Sequence, residues 1–241
     1  MKKSILPITL AAVLALSSTA LASDFSDISG HWAEETIEKW ADKDIISGYP
    51  DGTFLPDNTV TRAEFAKIIT NAFDLENTNE NTLTENPYDD VDEDAWYWQY
   101  VSCAASYIPV YPLPVTYESN IPYIDNHDDA SNGFLPDTPV LRAHAAETLS
   151  EIKIERDSLE ITMPTISEIQ QDLLDTFADA DFEELFGGMH GVPDNVSRMF
   201  EYAWLANELG IMEGDADGYF LPYGQLTRAE LVTLVDRMIE E

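Results

Sequence analysis

Apolar residues recur at helical spacing in several separated stretches of the chain. Between His31 and Lys43, the residues Trp32, Ala33, Ile37, Trp40 and Ala41 fall on one helical face. After Thr61, the set Phe65, Ile68, Ile69, Ala72 and Phe73 follows the i, i+3, i+4, i+7, i+8 pattern of a core-facing helix. Leu231, Leu234, Val235, Met238 and Ile239 repeat that spacing near the C-terminus. Trp32, Phe54 and Phe220 are expected in the core. Further helical turns are expected around Ile166 to Leu174. No single helix can bury its stripe alone, so the helices must pack on one another. The expected fold class is all-α.

The helix starts are encoded as well. Thr61 and Glu64, and again Thr227 and Glu230, stand three apart, the spacing of a capping box in which each side chain bonds the other's backbone N–H. Val60 with Phe65, and Leu226 with Leu231, occupy the positions of a hydrophobic staple. Leu141-Arg142-Ala143-His144 lacks both capping residues, so the helix start there is weaker. Arg62, Arg142 and Arg228 stand in the first turns. A cation there works against the helix macrodipole, which favours anions at that end. Two readings explain the choice. A helix N-terminus with free N–H groups plus a guanidinium is a receptor for a carboxylate or phosphate; alternatively, Arg62 pairs with Glu64, or with Asp27 and Asp51, and ties units together.

Val60-Thr61-Arg62-Ala63-Glu64-Phe65 returns 166 residues later as Leu226-Thr227-Arg228-Ala229-Glu230-Leu231, and the match extends upstream from Asp44–Pro56 to Gly210–Pro222. A Trp-containing helix, a Gly-Ile-like turn ending in Gly48 or Gly214, an Asp-Gly-x-Phe-x-Pro loop and a Thr-Arg-Ala-Glu helix start together resemble the S-layer homology (SLH) module. The resemblance implies three tandem SLH repeats in a pseudo-threefold helical assembly with long loops. The first repeat is placed at 23–75, followed by a polar linker at 76–86. A degenerate second repeat is placed at 87–160, opening on Tyr88-Asp89-Asp90-Val91 and Trp96 and carrying an insertion at about 107–132 in place of the glycine turn. The third, with its connector, is placed at 161–241; it reopens at Phe177-Ala178-Asp179, carries about 14 extra residues including Gly187–Gly191, and has Arg198 where the first has Trp32.

The family binds secondary polymers of the bacterial cell wall, typically through pyruvylated sugars, or modified peptidoglycan. The resemblance therefore implies ligand contacts from Arg62, Arg228 and Arg142, from Gly48 and Gly214, and from Thr61 and Thr227, with Glu64 and Glu230 as structural caps. One carboxylate per pyruvyl group suits an arginine fork. It further implies an anchor or S-layer component at the cell surface, with S-layer or other surface proteins as additional partners. The alternative is an acidic surface adaptor or divalent-cation binder that takes no polysaccharide.

Export is expected from residues 1–22, where Lys2 and Lys3, an apolar run and Ala20-Leu21-Ala22 form the pattern of a cleaved signal peptide, with no membrane span left afterwards. The formal charge is −34, and loss of that segment would leave the chain more acidic still. Phosphate neutralisation, and with it nucleic acid, is excluded as a partner chemistry. The acidity suits either high salt or divalent cations at a cell surface. Asp89, Asp90, Asp92 and Asp94 offer carboxylates for loose Ca²⁺ binding, against the alternative of a solvated acidic turn. No other cofactor is expected. Cys103 is the single cysteine and reads as a small buried hydrophobe. His31, His127, His144 and His190 show no metal-ligand spacing, and neither a Gly-x-Ser-x-Gly elbow nor a P-loop occurs, so no enzyme is expected.

Overall fold

The computed structural model describes residues 25–78, 82–110, 133–179 and 194–240. The expected signal segment 1–22, residues 111–132 of the expected insertion and Gly187–Gly191 lie outside them. The described chain runs through α1 (Glu34–Ala41), α2 (Arg62–Phe73), the single turn α3 (Leu75–Thr78), α4 (Trp98–Ala104), α5 (Arg142–Asp157), α6 (Ile166–Thr176), α7 (Asp194–Glu208) and α8 (Arg228–Glu240). Among the described residues, strand-like pairing is confined to isolated bridges, so the fold is all-α as expected.

Capping explains where the helices begin. At α2 the Glu64 N–H donates to Thr61 Oγ1 (3.2 Å) and the Thr61 N–H donates to Glu64 Oε2 (3.0 Å). Thr227 and Glu230 form the same reciprocal pair ahead of α8, at 3.2 and 2.8 Å. A third capping box, Thr165 with Glu168, starts α6. Leu141 gives α5 no side-chain cap.

Three units close into a ring. The long helix of each unit packs on the first helix of the next: α2 on α4, α5 on α7, and α8 back on α1. At the centre, Val60 N–H donates to the Leu226 carbonyl (2.9 Å), Leu226 N–H to the Val140 carbonyl (3.0 Å), and Val140 N–H to the Val60 carbonyl (3.0 Å). These three residues are fully buried. The apolar residue before each helix start thus serves as an axial hydrogen-bond link as well as a core side chain.

Each unit also carries one carboxylate clamp. Asp27 accepts the N–H groups of Phe54 and Leu55, Asp90 those of Phe134 and Leu135, and Asp179 those of Phe220 and Leu221, all at 2.7–2.8 Å. Leu55, Leu135 and Leu221 have φ of 56°, 59° and 55°, a left-handed conformation that branched side chains adopt at a cost, and the charged acceptor holds them in it. Aromatic pairs with identical 5.3 Å centroid separations, Phe25 with Phe54, Tyr88 with Phe134 and Phe177 with Phe220, complete the repeat.

Two expectations need correction. Trp32 is 64% exposed, because α1 starts only at Glu34 and its buried side belongs to Ile37, Trp40 and Ala41; the core tryptophan is Trp40. Phe54 and Phe220 are buried as expected. The segment expected to open a surface insertion at Tyr107 is instead part of the fold. Ile108 is buried, the Tyr107 hydroxyl donates to Glu155 Oε2 (2.7 Å), and the Tyr107 carbonyl accepts from Thr148 (3.0 Å).

The clamp generates a test. Asp27→Ala should lower stability by about 2–4 kcal/mol in urea denaturation, because two backbone donors lose a charged acceptor at about 1–3 kcal/mol each. A loss under about 0.5 kcal/mol would show that the clamp does not hold the loop.

Candidate functional site

The three arginines sit at the three joints of the ring, and each reaches into the following unit. Arg62 Nε donates to the Phe134 carbonyl (2.7 Å) and Nη2 to the Pro109 carbonyl (2.8 Å). Arg142 Nε donates to the Phe220 carbonyl (2.8 Å) and Nη1 to Glu230 Oε1 (3.2 Å). Arg228 Nε donates to the Phe54 carbonyl (2.9 Å), Nη1 to Glu64 Oε1 (3.2 Å) and Nη2 to the Ser47 carbonyl (3.0 Å). Each guanidinium lies over the phenylalanine whose carbonyl it binds, at 4.9, 5.8 and 4.5 Å from the ring centre. All three side chains are buried. Burial pushes the Arg62 guanidinium down to about 10, so it remains charged at neutral pH.

The helix N-termini are not open to an anion. At α2 the N–H groups of Arg62 and Ala63 donate to the carbonyls of Thr138 and Pro136, and the Glu64 N–H is taken by Thr61. Arg228 and Ala229 bond the carbonyls of Asn58 and Pro56 in the same way, and Arg142 and Ala143 those of Gly224 and Pro222. The expected receptor of free N–H groups is therefore closed by the neighbouring unit. The hydroxyls of Thr61 and Thr227 are engaged in their capping boxes. Glu64 and Glu230 do more than cap, since the second oxygen of each binds the arginine arriving from the preceding unit.

One joint opens into a groove of about 410 Å³. Its walls are the Ile45–Pro50 turn of the first unit, Glu64, Lys67 and Ile68 of α2, Arg228 of the third unit and Trp96 of the second. All three units therefore contribute. Arg228 uses three of its five N–H donors on partners among the described residues. Lys67 Nζ donates to Ser47 Oγ (3.0 Å) and lies 5.9 Å from the ring centre of Trp96, an exposed indole. The Tyr49 hydroxyl donates to Glu64 Oε1 (2.7 Å), and burial together with that bond raises its pKa. Two cations against one carboxylate leave the groove net positive on a strongly acidic chain. Gly48 is required for space: a Cβ there would stand 2.4 Å from both the Phe25 ring and the Thr53 carbonyl oxygen.

Of the residues singled out in the sequence, Arg228, Gly48 and Glu64 meet in this groove, whereas Arg62 and Arg142, with Gly214, belong to the other two joints. Lys67, Trp96, Tyr49 and Ser47 were missed. Lys67 and Trp96 lie in different units, 29 positions apart, and only the closed ring brings them together. The expected calcium cluster is used differently, because both Asp90 oxygens hold backbone N–H groups and Asp92 accepts from the Asp94 N–H.

A ring of three helical units with a groove lined by all of them defines a repeat-built helical module. The S-layer homology domain model matches two regions of the chain, residues 24–66 and 194–232. The segment between them repeats the same clamp, aromatic pair and arginine joint. The chain is similar to the surface-layer 125 kDa protein of Lysinibacillus sphaericus, 36% identical over 38% of this chain and 7% of that protein. A cellulosome-anchoring protein of Acetivibrio thermocellus is 35% identical over 36% of this chain and 20% of its own length. An amylopullulanase of Thermoanaerobacterium thermosulfurigenes is 25% identical over 90% of this chain and 10% of its own length. The chain thus spans at most a fifth of each of these relatives. The family and these relatives support a cell-surface location.

The joint arginines predict a measurable split. Arg62→Ala should lower stability by about 3 kcal/mol or more, since it removes a buried side chain and leaves the carbonyls of Phe134 and Pro109 without their donor. Calorimetry or denaturant unfolding reads this directly, and an unchanged midpoint would deny Arg62 its role in the joint.

Proposed function

We propose that the chain is a non-covalent cell-wall anchor and that the groove beside Arg228 receives an acidic sugar of a secondary wall polymer, a pyruvylated sugar being the chemistry that fits best. The observation that carries this reading is a net positive, aromatic-walled groove on a chain with a formal charge of −34. A random patch of so acidic a surface would be negative. Arg228 offers a planar fork to a carboxylate, Lys67 a second point charge, and the exposed Trp96 ring an apolar face for the sugar. Arg228 comes to the groove already oriented by the carbonyls of Phe54 and Ser47, so little conformational freedom is lost on binding. Arg62 and Arg142 act chiefly in the other two joints. Binding rather than catalysis is the activity, and surface-layer or other surface proteins are the partners such an anchor would hold in place.

Cosedimentation with purified cell-wall sacculi tests the reading, before and after chemical removal of the secondary polymer. Wild-type protein should pellet with intact sacculi only. Lys67→Ala should weaken pelleting by about tenfold or more, the loss of one hydrogen bond to a charged group, with thermal stability changed by less than about 0.5 kcal/mol. Equal pelleting with stripped sacculi would transfer the site to peptidoglycan, and undiminished pelleting by both the lysine variant and a folded Arg228→Ala variant would remove the groove from the account.

A further inference from the structure

The ring creates three joints, and the side chains that line them differ in sign. In the first, Lys67 of α2 faces Trp96, the exposed aromatic of the following unit. One helix further on, the residue at the same distance from its joint arginine is Glu147, five positions after Arg142 as Lys67 is five after Arg62. The residue facing it is Arg198, which holds Glu147 at 2.6 Å through Nη2 and 2.7 Å through Nε. Glu147 is 2% exposed while the Arg198 side chain is about half exposed (48%), so the guanidinium closes over a buried carboxylate from the solvent side.

The turn beside it has changed in step. The Pro109 carbonyl accepts from Arg62 as the Ser47 carbonyl accepts from Arg228, which puts Val110 where Gly48 stands in the first unit. His144 occupies the position of Glu64. At the third joint Thr233 takes the place of Lys67, five positions after Arg228. Glu213 takes the place of Ser47 and is paired with Arg237 at 3.3 Å. Neither joint therefore keeps the lysine, and both gain a carboxylate where an acidic ligand would have to approach.

We propose that Lys67 and Trp96 are the residues that make one joint of the three a wall site, so that the chain takes a single acidic sugar, while the Arg198–Glu147 pair seals the second joint against it. This rests on the reading of the Arg228 groove as the acidic-sugar site. Lys67 is the second cation of that groove and Trp96 its aromatic wall; at the second joint the place of Trp96 is held by Arg198, whose Nε and Nη2 are both engaged by Glu147.

Isothermal titration of the whole protein with a soluble pyruvylated monosaccharide tests it. The expected result is one site per chain, weakened at least tenfold by Lys67→Ala and by Trp96→Ala separately, with a second, weaker site appearing in Glu147→Gln, which frees Arg198 from its carboxylate; no second site in that variant would overturn the seal. Circular dichroism on each variant confirms that it is folded, and Lys67→Arg should retain most of the affinity. Two or three equivalent sites in wild-type protein, or a single site indifferent to Lys67 and Trp96 but lost in Arg228→Ala, would overturn the inference and leave the acidic-sugar reading standing. Absence of any binding by the wild-type protein would overturn that reading and this inference with it.

Discussion

The cyclic exchange of backbone hydrogen bonds among Val60, Val140 and Leu226 is the constraint on which the rest of the molecule depends. Each residue donates to one neighbour and accepts from the other, so the cycle closes only when all three units are in place. The closed count satisfies three buried N–H and three buried carbonyl groups that would otherwise each cost a large fraction of a hydrogen bond. A ring of heterologous contacts that closes after three steps also leaves no sticky open end. From the axis outward, the helix starts are fixed by the same backbone segments. The first-turn arginines are then carried across each joint to the carbonyl of the next unit's buried phenylalanine.

That geometry resolves why arginine stands where the helix macrodipole disfavours it. The free N–H groups that create the positive end are occupied by carbonyls of the adjacent unit, and the guanidinium finds carbonyl or carboxylate partners beyond the helix. The two readings of these residues, as ties and as ligand groups, then converge at one position. Arg228 ties the third unit to the first and in doing so presents its remaining donors to a groove that Lys67 and Trp96 complete. In the proposed function, structure and binding share the residue, which is why stability and affinity must be measured together.

Much of the fold was legible in the sequence because it is written in local signals. Thr61 with Glu64, the spacing from Phe65 to Phe73 and the 166-residue repeat all concern residues close in the chain or identical in pattern. What escaped was decided across units. Trp32 has the right spacing for a core face, yet it precedes the first helical residue and points to solvent. The second turn looked lost because its glycine is gone, whereas what the joint needs is a buried apolar residue followed by a carbonyl, and Ile108-Pro109 supplies both. Lys67 carries no local signal of its place in the groove, which is set by Trp96 and Arg228 arriving beside it from two other units.

The most direct test of the groove is the indole region of a proton–nitrogen correlation spectrum, recorded while a pyruvylated monosaccharide is added to the folded protein. The chain has five tryptophans, of which Trp96 lines the groove whereas Trp204 lies on α7, away from it, with its indole N–H donating to Asp172 (3.3 Å). The account predicts that the Trp96 indole resonance moves and saturates while that of Trp204 stays fixed. Movement at Trp204 or Trp32 with Trp96 unchanged would contradict it.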